Sequence, residues 1–201
     1  MSVVETNSKK RFALKPNPAV QPSQDTPSPA DYLIRANQGH TLEVDPAALF
    51  TPVAPGDADF PARVVHGTYF AFWDAIVASG GLKPMGRSHV HCSERTPEEG
   101  AVSGMRSDAE LLVEIDVEAS LRSGVTWWRS QNGVILTDGG EAGVLSTRFF
   151  KSVRGRTAGV GLLWEDGVKT ADLPAGLKMV VPAGKRRGGA GGTRGGRGGP
   201  R

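Results

Sequence analysis

Apolar positions in this chain fall into short alternating runs more often than into stripes of helical period. Residues 62–68 (ARVVHGT) form a β-branched run closed by Gly67 and Thr68, which predicts a strand. Directly after it, Phe70, Trp73, Ile76 and Val77 recur at three- and four-residue spacing, so a helix over residues 69–79 would present them on one face. Thr68 is the expected N-cap of that helix, and Gly80-Gly81 its stop. Further strands are expected at residues 88–93 (SHVHCS), 110–117 (ELLVEIDV), 125–128, 133–137 (GVILT), 149–153 and 177–181. Residues 118–123 suit one short helical turn. Strands outnumber helices, so the pattern predicts an α+β domain with few helices over residues 31–182.

The flanks lack this pattern. Residues 15–30 (KPNPAVQPSQDTPSPA) hold five prolines and little to bury, and they read as a flexible insertion within an N-terminal segment, residues 1–30. Residues 183–201 are largely Gly and Arg and bury too little to offset the entropy of ordering, so a disordered tail is expected. Such a tail suits loose contact with RNA phosphates, through Arg186 and Arg194 for example, or serves only as a solubiliser. It also carries the basic balance of the chain. Six of the 24 Lys and Arg lie in residues 184–201, which contain no acid, so the remainder has 18 basic against 21 acidic residues. The folded part is therefore slightly acidic. No apolar run approaches the ~20 residues of a membrane span, and MSVVETNSKKRF has no apolar signal core. The single cysteine, Cys92, cannot form an internal disulfide. A reducing intracellular setting, cytoplasmic or nuclear, follows as the expectation, with no membrane partner and a monomeric chain.

Five short clusters carry the chemistry: IRANQGH (34–40), HGT (66–68), MGRSHVH (85–91), SGMR (103–106) and SQNGVILT (130–137). All four histidines, His40, His66, His89 and His91, lie within them. His89 and His91 alternate onto one strand face, as a metal pair would, but no third ligand stands at a suitable spacing and Cys92 points the other way; no metal is expected. Neither GxxxxGK[ST] nor GxGxxG occurs, so the usual phosphate and dinucleotide signatures are missing. Taken singly, His66 reads as a hydrogen-bonded core histidine and Arg106 as a surface ion pair.

In order and wording the clusters resemble the RNA 2′-phosphotransferase family that completes tRNA splicing. That family carries RANQGH, HGT followed by a helix with Trp and Gly-Leu, an Arg-x-His-[VI]-His stretch, SGMR, and a Ser-x-Asn-Gly-Val-[IL]-Leu-Thr strand. This chain has Arg35–His40, His66–Thr68 with Trp73 and Gly81-Leu82, Arg87–His91, Ser103–Arg106 and Ser130–Thr137. KKRFAL, from Lys9 to Leu14, resembles the segment that precedes RANQGH. The likeness covers residues 9–153.

The resemblance implies the split-sheet fold of ADP-ribosyltransferases, which bind NAD without a Rossmann motif, and NAD as co-substrate. It implies a ribose or adenosine contact from His66, a nicotinamide contact from the backbone around Gly67 and Thr68, a pyrophosphate contact from Arg106, and a ribose contact from Ser130. It implies a two-step reaction. The RNA 2′-phosphate attacks C1″ of the nicotinamide ribose and expels nicotinamide; the 2″-hydroxyl then attacks phosphorus, giving a 2′-OH on the RNA and ADP-ribose 1″,2″-cyclic phosphate. The family uses an Arg-His-Arg-Arg set on the phosphate, of which Arg35 and Arg87 carry over as catalytic residues. Lys9, Arg11 and His40, with Arg186 and Arg194 of the tail, are the candidate contacts to the 2′-phosphorylated tRNA. The family's first Arg-His pair lies in an LLRH helix of a winged-helix lobe. No residue before Lys9 matches it, so the expectation is a chain without that lobe, residues 1–30 being its remnant. Two alternatives stay open: a non-catalytic NAD or ADP-ribose binding module with an RNA-contacting tail, and an ADP-ribosyltransferase acting on protein or nucleic-acid ends. The latter usually needs a Glu near the Ser130–Thr137 strand, where only Glu141 follows.

Overall fold

Two antiparallel sheets meet at one edge, and the strands that meet there are short and β-rich in sequence. The computed structural model describes residues 4, 6–20, 28–37, 49–156 and 159–182. In chain order the strands are β1 (Phe12–Pro16), β2 (Tyr32–Ala36), β3 (Thr51–Pro52), β4 (Val65–Thr68), β5 (Gly81–Leu82), β6 (Val90–Cys92) and β7 (Leu111–Ile115). They continue with β8 (Trp127–Arg129), β9 (Ile135–Thr137), β10 (Leu145–Ser146), β11 (Phe150–Gly155), β12 (Leu162–Glu165) and β13 (Val168–Lys169). Helix α1 spans Phe70–Ala78 and α2 spans Val117–Arg122. One sheet runs β13-β12-β11-β7-β4 and the other β3-β8-β9-β6, while β1–β2 and β5–β10 form separate pairs. This is the mostly-sheet α+β, split-sheet architecture expected, with few helices. No described helix is long and apolar enough to cross a membrane.

One core cluster draws on both sheets and on α1. Phe70 and Trp73 of the helix pack with Val113, Phe150 and Leu163 of one sheet and with Cys92, Trp127 and Ile135 of the other. Trp164 stands edge-on to both Trp73 and Phe150, each at a centroid distance of 6.0 Å. Burying each such side chain is worth about 1.5–3 kcal/mol, so this cluster is what clamps the sheets together. One buried polar chain within it is satisfied, Trp127 Nε1–H donating to Ser120 Oγ (2.8 Å) and Ser120 Oγ–H to the Val117 carbonyl (2.7 Å), whereas Trp164 Nε1 is buried without a hydrogen-bond partner.

The structure corrects three local expectations. Thr68 is not the N-cap of α1, because β4–β7 pairing continues through Thr68↔Leu111 and keeps it extended. Tyr69 takes the cap position without a side-chain bond, and the Glu110 carboxylate accepts the Phe70 N–H instead (3.0 Å). Residues 177–181 form no strand; Met179 and Val180 are exposed, and the last pairing is the β12–β13 hairpin. That hairpin turns at Asp166-Gly167, both at positive φ (44° and 79°), as a tight two-residue turn requires. Finally, the Pro-rich stretch joins two paired strands: Lys15 and Pro16 end β1, residues 29–31 make a 3-10 turn capped by Ser28, and β2 follows in register Phe12↔Ala36.

A candidate active site at the junction of the sheets

The sheets touch through an isolated bridge, Val65 N–H to Ser93 O (2.8 Å) and Ser93 N–H to Val65 O (2.9 Å). The motif histidines flank it. Val65 is fully buried on one face of β4, so alternation turns His66 to the other face, that of its cross-strand partner Val113, where its Nδ1–H donates to the His91 carbonyl of β6 (2.9 Å). His91 likewise lies opposite the buried Val90 and Cys92, and its Nδ1–H donates to the His89 carbonyl (3.0 Å). His91 Nε2 is buried and has no hydrogen-bond partner. Burial, and then the charge of Arg87 with smaller contributions from His89 and His66, lowers the His91 pKa to about 4. The ring is therefore neutral, with Nε2 as a lone-pair acceptor. His89 is nearly buried, edge-on to Phe50 (5.5 Å) and Trp128 (5.4 Å).

Two glycines let the SGMR loop close over this junction. Gly104 sits at φ +86°, and a Cβ there would come within 2.3 Å of the Cys92 carbonyl oxygen, so the loop crosses β6 at backbone contact. A Cβ on Gly67 would lie 2.6 Å from Met105 Cγ and 2.8 Å from Ala109 Cβ; the bare strand is the floor on which Met105 rests. Arg156 holds the loop from below through the Ala109 carbonyl (2.6 Å) and Glu98 (2.7 Å), and Arg63 binds Glu99 (2.8 Å). Arg106, half exposed, is thereby set beside Tyr69, with Cζ 5.6 Å from the ring centroid. Its Nε and Nη2 pair with the two carboxylate oxygens of Asp108 (2.9 and 3.1 Å).

A third part comes from the turn between β8 and β9. Ser130 is buried, and its hydroxyl closes that turn, accepting from Val134 N–H (2.9 Å) and donating to Asn132 Oδ1 (2.8 Å). The turn then grips the β1–β2 hairpin. Asn132 Nδ2 (2.9 Å) and Ser103 Oγ (3.1 Å) both donate to the Lys9 carbonyl, and Arg35 Nη2 donates to Gln131 Oε1 (3.4 Å). Asn37 ties the hairpin ends, its Nδ2 donating to the Lys10 carbonyl (2.6 Å) and its N–H to that of Arg11 (2.8 Å).

His66, Gly67, Thr68 and Arg106 thus lie along β4 and the loop over it, and Arg87 is exposed near His91. Arg35 stands on the hairpin against the 130–133 turn, with Lys9 and Arg11 exposed at the start of β1. Ser130 is buried, with its hydroxyl engaged in the turn it closes. His40, Arg186 and Arg194 lie outside the described residues. The sequence reading missed Tyr69, Asp108, Gln131 and Asn132. Asn132 alone had a signal, as the Asn of SQNG; the Asp108 role requires knowing that the SGMR loop folds back over Tyr69.

Comparison with known proteins agrees with the motif order. The sequence profile of the RNA 2′-phosphotransferase, Tpt1 / KptA family matches residues 1–139. The chain is 37% identical over 186 residues to tRNA 2′-phosphotransferase 1 of Mus musculus, spanning 92% of this chain and 70% of that protein. It is 40% identical over 149 residues to the Danio rerio protein of the same name (74% of this chain, 61% of that one). It is 42% identical over 150 residues to the Homo sapiens protein (74% and 54%). The chain therefore spans between about half and 70% of the length of these relatives. With the motifs gathered on one seam and the profile matching more than half of its residues, the chain belongs to the RNA 2′-phosphotransferase, Tpt1 / KptA family.

Proposed function

We propose that this chain removes a 2′-phosphate from RNA, tRNA above all, by transferring it to NAD bound at the β4–β6 junction. The observation that carries the reading is the convergence of HGT, GRSHVH, SGMR and the SQNG turn on one seam, with the RANQGH arginine held against it through Gln131. A dinucleotide fits the residues present: His91 Nε2 is a buried acceptor lacking a donor, which a ribose hydroxyl or carboxamide N–H would supply. His66 and the backbone of Gly67 and Thr68 would hold the nicotinamide ribose side, Arg106 the pyrophosphate, and Ser130 would act through the turn it closes. When bound, NAD offers a sugar carbon with a good leaving group. The RNA phosphate is already an anion and needs no general base, so the protein's task is to position it. Arg35 and Arg87 do so, and their fixed charges stabilise the negative charge that shifts as the P–O bond breaks. Lys9 and Arg11, exposed beside Arg35, would contact neighbouring RNA phosphates.

The test is a folded protein, an oligoribonucleotide with one internal 2′-phosphate, and NAD. Loss of the 2′-phosphate only with NAD, together with nicotinamide release, is the expected result. NAD binding with no turnover would favour the non-catalytic binding module, and no NAD binding at millimolar concentration would end both readings.

A further inference from the structure

Arginine presents two flat edges to an anion, the Nε/Nη2 side and the Nη1/Nη2 end, and each can take a carboxylate or phosphate with two parallel bonds. In Arg106 the side edge is taken: Nε and Nη2 meet Asp108 Oδ1 and Oδ2 at 2.9 and 3.1 Å. The end edge lies outside that pair, and the side chain is half exposed. Asp108 is not a loose surface partner. Its Oδ1 also accepts the Tyr69 hydroxyl at 2.7 Å, and Tyr69 is buried, only 6% of its surface exposed, one residue before α1. The next residue, Phe70, is itself bound through its N–H to Glu110 (3.0 Å). The Tyr69 ring lies under the guanidinium at 5.6 Å. A rigid strand-to-helix corner thus reaches, through one phenol and one carboxylate, a flexible cation on a loop.

We propose that Tyr69 and Asp108 are positioning residues for Arg106, holding its guanidinium by the Nε/Nη2 edge so that the Nη1/Nη2 edge meets the diphosphate of the bound dinucleotide. This inference rests on the proposed NAD site and adds two residues outside the family clusters. Burial and the Asp108 bond keep the Tyr69 hydroxyl protonated far above its ordinary range, and the Arg106 and Tyr69 bonds keep Asp108 ionised well below the usual carboxylate range. The unit therefore keeps one protonation pattern at neutral pH. Asp108 does not cancel the usefulness of Arg106; it fixes which edge is offered.

A double-mutant cycle read by calorimetric NAD and ADP-ribose binding tests this. Arg106→Ala should weaken binding, and Tyr69→Phe and Asp108→Asn should each weaken it about three- to tenfold while Arg106 is present. In the Arg106→Ala background, neither should cost anything further. Tyr69→Phe removes one oxygen and keeps the ring, so its melting temperature reports whether the fold is intact. Losses that add fully to that of Arg106→Ala would overturn the positioning role while leaving the NAD site standing. Tighter binding by Asp108→Asn would also overturn it, since the carboxylate would then be competing with the ligand. Unchanged binding by Arg106→Ala, or none by the unmodified protein, would remove the site reading and this inference together.

Discussion

His91 shows how one side chain records the electrostatics of the whole seam. Folding buries it beside Arg87, His89 and His66 and lowers its pKa from 6.5 to about 4. Between those values the unfolded chain binds the proton more readily, so stability falls as pH drops from about 6.5 toward 4 and is fully present above 6.5. At 1.36 kcal/mol per unit the loss is on the order of 3 kcal/mol. Denaturant midpoints from pH 7 to 4 should show this slope, and His91→Gln, which cannot titrate, should flatten it; an equal slope in the variant would show that other groups dominate acid lability. Gly67 makes a steric argument at the same scale. An alanine Cβ would overlap Met105 and Ala109, so Gly67→Ala should cost about 1–3 kcal/mol and push the SGMR loop off β4. Urea unfolding and NAD affinity should both decline; a neutral result would mean that Met105 swings aside freely.

Among the elements, the β1–β2 hairpin depends most on contacts outside itself. Two strands alone are marginal in water, and Leu33 and Ile34 are exposed here, so the pair lacks a full apolar face. What seats it is polar: the Lys9 carbonyl between Asn132 and Ser103, and Arg35 against Gln131. Asn132→Ala should therefore loosen residues 12–16 and 32–36 selectively. Amide exchange there should speed up roughly fivefold, for a bond worth ~1 kcal/mol, while the β7 and β11 amides stay protected. Uniform loss of protection would show instead that Asn132 supports the global fold. The β12–β13 hairpin is the opposite case, with its turn written locally. Asp166-Gly167 between apolar positions is a two-residue hairpin signal, and the positive φ at both residues is what that pair favours. That turn is legible in the sequence, whereas β1 is obscured by Pro16 and the prolines after it.

For the whole molecule, charge is divided unevenly. The acidic balance of residues 1–183 contrasts with six cations in residues 184–201, which lie outside the described structure. If those cations meet RNA, each contributes about −0.7 to the log–log salt slope of single-strand binding, so deleting residues 184–201 should flatten the slope by up to about 4. NAD binding should not change. An unchanged slope would reduce the tail to a solubiliser.

Local pattern alone specified the β-rich class, α1, α2 and most central strands, because alternation and helical period are properties of neighbouring residues. The five clusters and their order were equally legible, and with them the family. Tertiary structure decided how they combine. Thr68 stays a strand residue because β7 pairs with it, the α1 cap comes from Glu110 forty positions away, and Ser130 is absorbed by its own turn. Tyr69 and Asp108 meet beside Arg106 only because Gly67 and Gly104 allow the loop to lie on the backbone of β4 and β6. Contacts between residues far apart in sequence leave no periodic trace along the chain, and they became visible only once the two sheets were joined.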